Sequence, residues 1–371
     1  MKFSVRSTDL QKALSKTINV VPSRSTLPIL ENLLFTLNAN TLKITATDLE
    51  ISITVSVEVQ GSQNGTIAIP AKKIFDTARA LPDTMVSFTS EKDSTKIKMK
   101  TENGEYTLTG EASDEFPSNP EFKGESEISF DVAELQKIVT TALFAVSIDE
   151  LRPSMMGVLF QISKNDMRVV ATDGHRLVRI INKSIAGGKD SRDIIIPSKA
   201  LALFDKAAIG AAAKMQISKT HVLFKFDNTS LVSRLIEEKY PNYETVIPLD
   251  NDKMLVVNKH EMLQSVRRVS LYSNSTTRQI RMTLSKDELK ITAEDIDFGS
   301  EAKENISCDY NNDDLEIGFN SSYVVDVLSH LDSDEVQFKL SSPNRAAIVS
   351  PQSQKDGEDV LMLIMPVRLN N

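Results

Sequence analysis

Leu42-Lys43-Ile44-Thr45-Ala46-Thr47-Asp48 is the stretch of sequence that decides the fold, because the chain repeats it. It returns as Met167-Arg168-Val169-Val170-Ala171-Thr172-Asp173 and then as Leu289-Lys290-Ile291-Thr292-Ala293-Glu294-Asp295. Successive copies are separated by nearly equal lengths of chain. That period is far longer than the roughly 20–50 residues of solenoid repeats, so each copy marks a domain with its own core.

Other landmarks keep the same period and the same order. A strand leads into a predicted helix at Ile69-Pro70-Ala71-Lys72-Lys73, at Ile196-Pro197-Ser198-Lys199 and, without proline, at Phe319-Asn320-Ser321-Ser322-Tyr323. An aromatic residue and a proline close the first two copies at Phe116-Pro117 and Tyr240-Pro241. The sequence therefore predicts three similar domains.

We place the domains at residues 1–124, 125–249 and 250–371. No Gly/Ser-rich linker separates them, so we expect them to pack rigidly end to end.

Each domain carries two helical patterns. Examples are Leu10, Leu14, Ile18 and Val21 in the first domain and Val132, Leu135, Val139, Ala142 and Val146 in the second. In the remaining segments apolar and polar residues alternate with period two, as in Ile51–Val57. This pattern is typical of strands with one face exposed to solvent. The predicted fold class is α+β, with two helices on antiparallel sheets per domain, built from a twice-repeated smaller unit.

Composition excludes several classes of protein. Hydrophobic residues make up 40% and charged residues 25% of 371 residues, as in ordinary globular proteins. Cys308 is the only cysteine and the four histidines are scattered, so the sequence predicts no disulfide, metal site or cofactor. We also expect no signal peptide and no membrane span, which makes the cytoplasm the default compartment.

Three segments carry a resemblance to a known family. Thr26–Leu33, Ala171–Leu177 and Met365–Leu369 resemble the early, central and C-terminal signatures of bacterial DNA sliding clamps, the beta subunits of the replicative polymerase. The resemblance runs in order along the whole chain. One departure is that family chains commonly end at the Arg-Leu pair, whereas Asn370 and Asn371 follow here.

The resemblance implies a DNA clamp fold and a ring-shaped, head-to-tail homodimer, with helices lining the hole and sheets outside. It implies a non-catalytic processivity factor that encircles duplex DNA and tethers the polymerase. The implied partners are double-stranded DNA held topologically and without sequence preference, a second copy of the chain, the replicative polymerase subunit, the clamp loader complex and other proteins with a clamp-binding motif. No membrane partner is expected.

Helix dimensions permit such a ring. Twelve helices packed roughly 8–10 Å apart give a circle of axes about 30–38 Å across. Subtracting one helix diameter leaves a clear opening of about 20–28 Å. A duplex is roughly 20 Å wide, so it fits loosely.

A partner-peptide pocket follows from the resemblance, between the second and third domains and beside the C-terminal tail. The matching residues are Met155, Thr172, Gly174, His175, Arg176, Leu177, Pro241, Val246, Asn320, Tyr323, Ile364, Met365, Pro366, Val367 and Arg368. Leu177, Val246, Met155 and Met365 suit an apolar slot, in which methionine adapts to varied ligands. His175, Arg176, Asn320 and Arg368 could supply polar contacts. The alternative is that Gly174 only forms a turn and the apolar residues are core; Met155 and Thr245 also differ from what relatives are expected to carry.

The net charge of −8 argues against a nucleic-acid binder, but the predicted helices together are positive, so the rest of the chain is more acidic than the whole. The basic residues expected to face DNA are Arg24, Lys72, Lys73, Arg79, Lys137, Lys199, Lys206, Arg267 and Arg268. Arg24 matches a DNA-contacting arginine of the family, and the others are inferred from helix placement. Some of them could be ordinary solvated residues.

The expected dimer interface consists of Tyr106 and Leu108 in the first domain with Leu271 and Tyr272 in the third. An apolar patch repeated head to tail closes a ring when the rotation fits. The alternative for these residues is ordinary core.

His175 beside Asp173 does not indicate a catalytic pair. Asp48 and Asp295 recur without histidine, so the aspartate has a structural role at a strand end, and no nucleophile accompanies it. We therefore expect no catalytic residues. The competing interpretation is an α+β repeat protein that acts as a binding module or enzyme unrelated to DNA. Such a protein would need convergent carboxylates or exposed aromatic residues, and the low aromatic content of 6% with no tryptophan weakens a sugar-binding version.

Overall fold

A computed structural model of the chain describes residues 1–90, 94–118, 122, 124–185 and 191–369. Its contacts divide the chain into two compact units. The first unit contains Met1–Gln136 and Lys199–Leu235, and the second contains Lys137–Ser198 and Ile236–Asn371. Asn370 and Asn371, the departure from the family pattern, lie outside the described residues.

Six α-helices lie in the described part of the chain, two for each predicted domain. They are α1 Ser7–Thr17, α2 Ala71–Ala80, α3 Val132–Leu143, α4 Ser198–Ala207, α5 Lys259–Ser270 and α6 Ser321–His330. Pro70 and Pro197 directly precede α2 and α4, where a missing backbone N–H does no harm. None of these helices is long and apolar enough to cross a bilayer.

The first unit contains two antiparallel sheets. Its strands are β1 Lys2–Arg6, β2 Asn32–Asn38, β3 Thr41–Thr47, β4 Ile51–Glu58, β5 Gln60–Gln63, β6 Gly65–Pro70, β7 Met85–Ser90, β8 Lys96–Lys100, β9 Glu105–Thr109, β10 Ser126–Asp131, β15 Ala212–Ile217, β16 His221–Phe226 and β17 Thr229–Arg234. One sheet has the order β5-β1-β7-β8-β9, and the other has the order β10-β15-β16-β17-β4-β3-β2-β6.

The second unit also contains two antiparallel sheets. Its strands are β11 Gly157–Ile162, β12 Met167–Thr172, β13 Arg176–Asn182, β14 Arg192–Pro197, β18 Lys253–Asn258, β19 Gln279–Ser285, β20 Glu288–Asp295, β21 Ser300–Ser307, β22 Asp309–Tyr310, β23 Leu315–Asn320, β24 Glu335–Leu340, β25 Ala347–Pro351 and β26 Glu358–Ile364. The orders are β14-β11-β12-β13-β26-β25-β24-β18-β22 and β21-β20-β19-β23.

The element order confirms the predicted doubling within each domain. A strand, a helix and three strands follow one another twice per domain, with β5 and β22 as short additions. The α+β class is therefore confirmed at the level of elements. Alternation holds only in part: Ile53 and Val55 of β4 are fully buried, Thr54 and Ser56 on the opposite face are half-buried, and Ser52 on that face is buried as well.

Two strand pairings join the predicted domains. In the first unit β4 pairs with β17, with Ile53 opposite Leu231, and we call this pairing junction 1. In the second unit β13 pairs with β26, with Val178 opposite Met362, and we call it junction 2. Each pairing extends a sheet from one predicted domain into the next, which is why the compact units do not coincide with the predicted domains.

Two helix ends differ from the sequence prediction. Ile18 and Val21 lie beyond α1, where Thr17 Oγ1 donates to backbone oxygens one turn back. Val146 lies beyond α3, and the next residue, Ser147, donates its backbone N–H to Met155 O at 2.9 Å instead of continuing the helix. Apolar residues at helical spacing continued past both helices without a glycine or proline to mark the end.

Candidate functional site

The turn between β12 and β13 is built by its own polar side chains. Asp173 Oδ1 accepts hydrogen bonds from the backbone N–H groups of His175 at 2.9 Å and Arg176 at 3.0 Å. Thr172 Oγ1 donates to Arg176 O at 2.7 Å. Gly174 has a φ of +90°, a conformation that favours glycine. The aspartate therefore holds the turn, as predicted.

The equivalent aspartates of the other two repeats do the same work. Asp48 Oδ1 accepts from Ile51 N at 2.7 Å, and Asp295 Oδ1 accepts from Asp297 N at 3.1 Å. A carboxylate used in three turns of one chain is a turn-forming group, which agrees with the rejection of a catalytic His–Asp pair.

Arg176 is held on every side. Its Nε donates to Asp173 Oδ2 at 3.1 Å, and its Nη1 pairs with Asp326 of α6. Its guanidinium carbon lies 5.1 Å from the ring centre of Phe144 and 4.8 Å from that of Tyr323. The side chain is only 13% exposed. Arg176 therefore ties the β12–β13 turn to α6 through its Nε and Nη1 donors.

His175 and Tyr323 cover the neighbouring surface. Their rings lie 6.1 Å apart and nearly parallel, and burial together with the charge of Asp173 raises the pKa of the Tyr323 phenol. Asn320 caps α6, because its Oδ1 accepts from Ser322 N at 2.9 Å. Asn320 thus has a structural task as well as its predicted binding role.

The C-terminal tail is fixed at two points. Met365 N donates to His175 O at 2.8 Å, and Val367 N donates to Gly318 O of β23 at 2.9 Å. A Cβ on Gly318 would lie 2.7 Å from both Val367 O and Leu369 Cδ2, so the tail needs the glycine there. These contacts set Met365 beside His175 and Val367 beside Gly318, while Arg368 is exposed.

A groove of about 490 Å³ lies beside the tail. Its lining residues are Thr245, Val246, Ile247, Pro248, Leu249, Asp250, Asn344, Arg345, Ala346 and Met365. Val246 and Met365 present apolar surface at 52% and 39% exposure, and an ion pair between Arg345 and Asp250 forms a polar rim. Apolar lining with a few polar groups at the edge is the usual character of a ligand groove.

The other predicted slot residues lie below the surface. Leu177 is 1% exposed and packs in a cluster with Tyr240, Tyr243 and Leu363, against which Ile247 also packs. Met155 and Ile364 are buried as well, and Pro241 is exposed next to that cluster. Leu177 therefore supports the groove from beneath, whereas Val246 and Met365 line it.

Sequence reasoning did not identify most of the groove wall. Ile247-Pro248-Leu249 directly follows Val246, and an apolar run broken by proline was an available signal for an exposed loop. Asn344, Arg345 and Ala346 follow β24, and no sequence feature brings that turn to the residues after Tyr243.

The predicted DNA-facing residues fall into two groups. Carboxylates hold four of them: Lys199 pairs with Asp48, Arg268 with Glu304 at 2.6 Å, Arg79 with Asp76 at 4.0 Å, and Lys137 with Asp332 and Glu358. Burial alone would lower the pKa of Lys137, but the two carboxylates outweigh it and raise the pKa. The residues without an ion pair in the described part of the chain are Arg24, Lys72, Lys73, Lys206 and Arg267, all exposed.

The predicted dimer residues lie at sheet edges and helix ends. Tyr106 and Leu108 belong to β9, an edge strand, with Tyr106 exposed and Leu108 buried. Leu271 and Tyr272 follow α5 and are both exposed. Ordinary core does not describe Tyr106, Leu271 or Tyr272.

Comparison with known proteins gives a consistent result along the whole chain. Family models of the DNA polymerase III beta subunit match residues 1–120 as its N-terminal domain, 129–242 as its central domain and 244–368 as its C-terminal domain. The beta sliding clamp of Pseudomonas aeruginosa is 30% identical and that of Escherichia coli K12 is 29% identical, each over the full length of both chains.

Solved structures agree with this result. A sliding clamp from Bartonella birtlesii superposes with a TM-score of 0.94 at 29% identity, covering 100% of both chains. The sliding clamp from Pseudomonas aeruginosa with ligand gives 0.93 at 29% identity, again over 100% of both chains. The three-domain arrangement predicted from the repeats is therefore that of these structures.

Proposed function

The chain belongs to the family of the DNA polymerase III beta subunit, the beta sliding clamp, and from that premise we propose how it closes, holds DNA and receives its partners. It is a non-catalytic subunit that confers processivity on the polymerase. In the proposed assembly two copies join head to tail and enclose a DNA duplex. The observation that carries this proposal is the match of all three domains, in order, over the whole chain.

Closure of the ring uses the predicted interface residues. Tyr106 and Leu108 lie on β9, and Leu271 and Tyr272 follow α5. Exposed apolar side chains at an unpaired strand edge are a liability in a monomer, which supports their burial against a second copy. We place the domain boundaries near residues 124 and 249 and the protein in the cytoplasm, where its DNA lies.

DNA is held by enclosure with weak, sequence-independent contacts. Arg24, Lys72, Lys73, Lys206 and Arg267 are the best candidates for phosphate contact, because no ion pair in the described residues occupies them. Each fixed phosphate contact would add both affinity and friction, so few free cations suit a protein that must slide.

The groove beside the tail is the proposed site for the polymerase, the clamp loader and other proteins with a clamp-binding motif. An extended peptide with apolar side chains would rest on Val246 and Met365, over the cluster that contains Leu177. The Arg345–Asp250 pair at the rim and the exposed His175 offer polar contacts.

The decisive experiment compares circular with linear DNA. After loading by its ATP-driven loader, the protein should stay on nicked circular DNA at salt concentrations that remove simple electrostatic binders, because topology retains it. Linearising the circle should release it from the ends. Equal retention on circular and linear DNA would show that contacts alone hold the protein and would refute the clamp mechanism.

A further inference from the structure

We propose that the exposed face of the sheet β5-β1-β7-β8-β9 binds an extended acidic segment of a partner protein. This inference goes beyond the proposed function, because it concerns neither the groove beside the tail nor the hole of the ring. We call this surface the basic face. Its five cations are Lys2 and Arg6 on β1 and Lys96, Lys98 and Lys100 on β8.

The strand pairings bring these cations to one side of the sheet. A row of facing residues crosses β1, β7, β8 and β9 at Lys2, Thr89, Lys98 and Thr107. The neighbouring row on the opposite side consists of Phe3, Phe88, Met99 and Tyr106. The first three members of that second row are buried in the core, whereas all five cations are exposed. The basic face is therefore the solvent side of the sheet.

The fold itself does not require these cations. The row on the core side recurs in the other two repeats as Ile128–Met215–Phe224–Leu231 and Leu255–Phe338–Val349–Met362. Equivalent positions follow from these rows, and they are Glu127 and Met254 for Lys2 and Leu223 and Ile348 for Lys98. Of the five cations only Lys100 has an equivalent lysine or arginine, which is Lys225. Leu223 and Ile348 are buried, so an exposed basic face at these positions is a property of the first repeat alone.

Most of the positive charge on the basic face is free. Arg6 pairs with Asp83 at 3.0 Å, and Lys100 pairs with Glu105 at 3.0 Å. Lys2, Lys96 and Lys98 form no ion pair with any residue that the structure describes. Three positive charges are therefore available for a ligand, on a chain whose net charge is −8.

The spacing of the charges suits an extended peptide. Alternate residues of a strand lie roughly 6.8 Å apart, so Lys96, Lys98 and Lys100 form a line of ammonium groups at that interval. Carboxylates at alternate positions of an extended segment have the same spacing. Thr89 and Thr107, which face Lys98 from both sides, add hydroxyl groups that can donate to a carboxylate.

Size and composition favour an acidic segment over DNA. From β1 to β9 the sheet is only roughly 14 Å wide, at about 4.8 Å per strand. A short segment fits within this width, and charges farther away than about 8 Å are screened from it. A long polyanion would extend over the acidic remainder of the chain. None of the described residues on the basic face is aromatic, so bases of a single strand find no stacking partner. In the proposed ring helices line the hole, so enclosed duplex does not reach this face.

Titration of the full-length protein with a short acidic peptide tests the proposal. The probe is the dye-labelled peptide Ser-Glu-Ser-Glu-Ser-Glu-Ser, and the control peptide has glutamine in place of each glutamate. Fluorescence anisotropy at low salt should show binding of the acidic peptide and no binding of the control peptide. The binding should weaken as the salt concentration rises, because the contacts are exposed charges.

Matched variants locate the site. Lys96→Gln with Lys98→Gln should weaken binding of the acidic peptide about fivefold, since two exposed charge contacts are lost. Lys96→Arg with Lys98→Arg keeps both charges and should bind as the wild type does. The control, Lys43→Gln with Lys225→Gln, removes two exposed strand lysines of the same compact unit and should leave the affinity unchanged.

Each outcome supports or overturns the proposal. A loss of affinity confined to the Lys96/Lys98 glutamine variant supports it. Equal losses in that variant and in the control would reduce the effect to net charge, and a wild-type chain that does not bind the acidic peptide would overturn the proposal outright. A short single-stranded oligonucleotide that loses affinity in the Lys96/Lys98 glutamine variant, while the peptide does not, would make nucleic acid the occupant instead. Retention on circular DNA does not involve the basic face, so this proposal and the proposed function can fail separately.

Discussion

At the scale of the residue, Arg176 shows how one side chain connects the parts of the groove region. It is bound by two carboxylates and stacked between two aromatic rings, so it positions the β12–β13 turn against α6. The β12–β13 turn also holds Met365, whose backbone N–H donates to His175 O. Arg176 thus positions the turn within the chain, and its contact with a partner peptide stays a prediction.

Replacing Arg176 should therefore affect both stability and binding. We expect Arg176→Ala to lower the free energy of unfolding by about 2–4 kcal/mol, because two carboxylates lose their partner and the stacking is lost. Arg176→Lys should recover little, since an ammonium group cannot reproduce the planar stacking. Thermal unfolding and peptide titration measure the two effects.

Arg168→Ala is the matched control for Arg176. Arg168 also pairs with two carboxylates, Asp166 and Glu244, but it is more exposed. Its loss should change stability by no more than about 1 kcal/mol and leave peptide affinity unchanged. If Arg176→Ala proved equally mild, the positioning role would be wrong.

The sequence could identify turn residues but not the depth of side chains. Gly174 and Asp173 were recognisable, because a glycine at positive φ and a capping carboxylate leave a local signature. Leu177 was expected to line a slot, and it lies in the core instead. The alternation of apolar and polar residues shows which side chains share a face of β13. The residues that cover that face are distant in sequence, so the alternation cannot identify them.

At the scale of the element, the C-terminal tail forms one side of the groove without belonging to the core. It is attached by two backbone hydrogen bonds and by Leu369 over Gly318. Removing it uncovers little buried surface, so fold and assembly should survive its loss.

Deletion of Met365–Asn371 should abolish binding of polymerase-type peptides and leave the dimer intact. The deletion removes Met365 from the groove lining and the hydrogen bond to His175 O. Calorimetric titration with a clamp-binding peptide and sedimentation of the same sample give both readouts. Undiminished peptide affinity in the shortened chain would locate the binding site elsewhere.

Helix α2 offers a test of which cations meet DNA. Lys72 and Lys73 have no ion pair among the described residues, whereas Lys199 and Arg268 are held by carboxylates. Lys72→Gln with Lys73→Gln should reduce the salt slope of direct DNA binding by about two. Lys199→Gln with Arg268→Gln should reduce it by less, because those cations contribute less free charge.

Fluorescence anisotropy over a range of salt concentrations measures both slopes. Peptide binding by each double variant serves as the control for folding and should stay at the wild-type level. Equal slopes in the two variants would mean that the ion pairs of Lys199 and Arg268 open on DNA.

Element positions were largely predictable, and element ends were not. All six helices have the periodicity that the sequence shows, and α1, α2, α5 and α6 pack against strands of a sheet. Ile18 and Val146 continue that periodicity beyond the ends of α1 and α3, so the sequence pattern predicts helices that are too long. The pairing of β4 with β17 was not predictable, since it depends on how whole repeats meet.

At the scale of the whole molecule, the proposed assembly uses sheet edges that the single chain leaves unpaired. The proposed contact combines Tyr106 and Leu108 on the edge strand β9 with the exposed side chains of Leu271 and Tyr272. The repeats themselves predicted three domains, whereas the need for a second copy came from the family resemblance.

Replacing Leu271 and Tyr272 with alanine should convert the dimer into monomers. These side chains are exposed in the single chain, so the variant should keep its thermal stability as a monomer while it loses apolar contact area at both interfaces. Analytical ultracentrifugation at micromolar concentration checks the result. As a control, Leu49→Ala changes an exposed leucine in the turn between β3 and β4 and should leave the dimer unaffected.

The proposed contacts between copies differ from junctions 1 and 2 as places where DNA can enter or leave the ring. Junctions 1 and 2 lie within one chain, and Ile53, Val178 and their partners are buried, so opening either junction would expose apolar core. In the proposed ring, two-fold symmetry makes the two inter-subunit contacts identical, so DNA can enter by the opening of either one. DNA that enters through one contact can leave through the other. Only a protein bound to one groove of the ring would make the two contacts unequal.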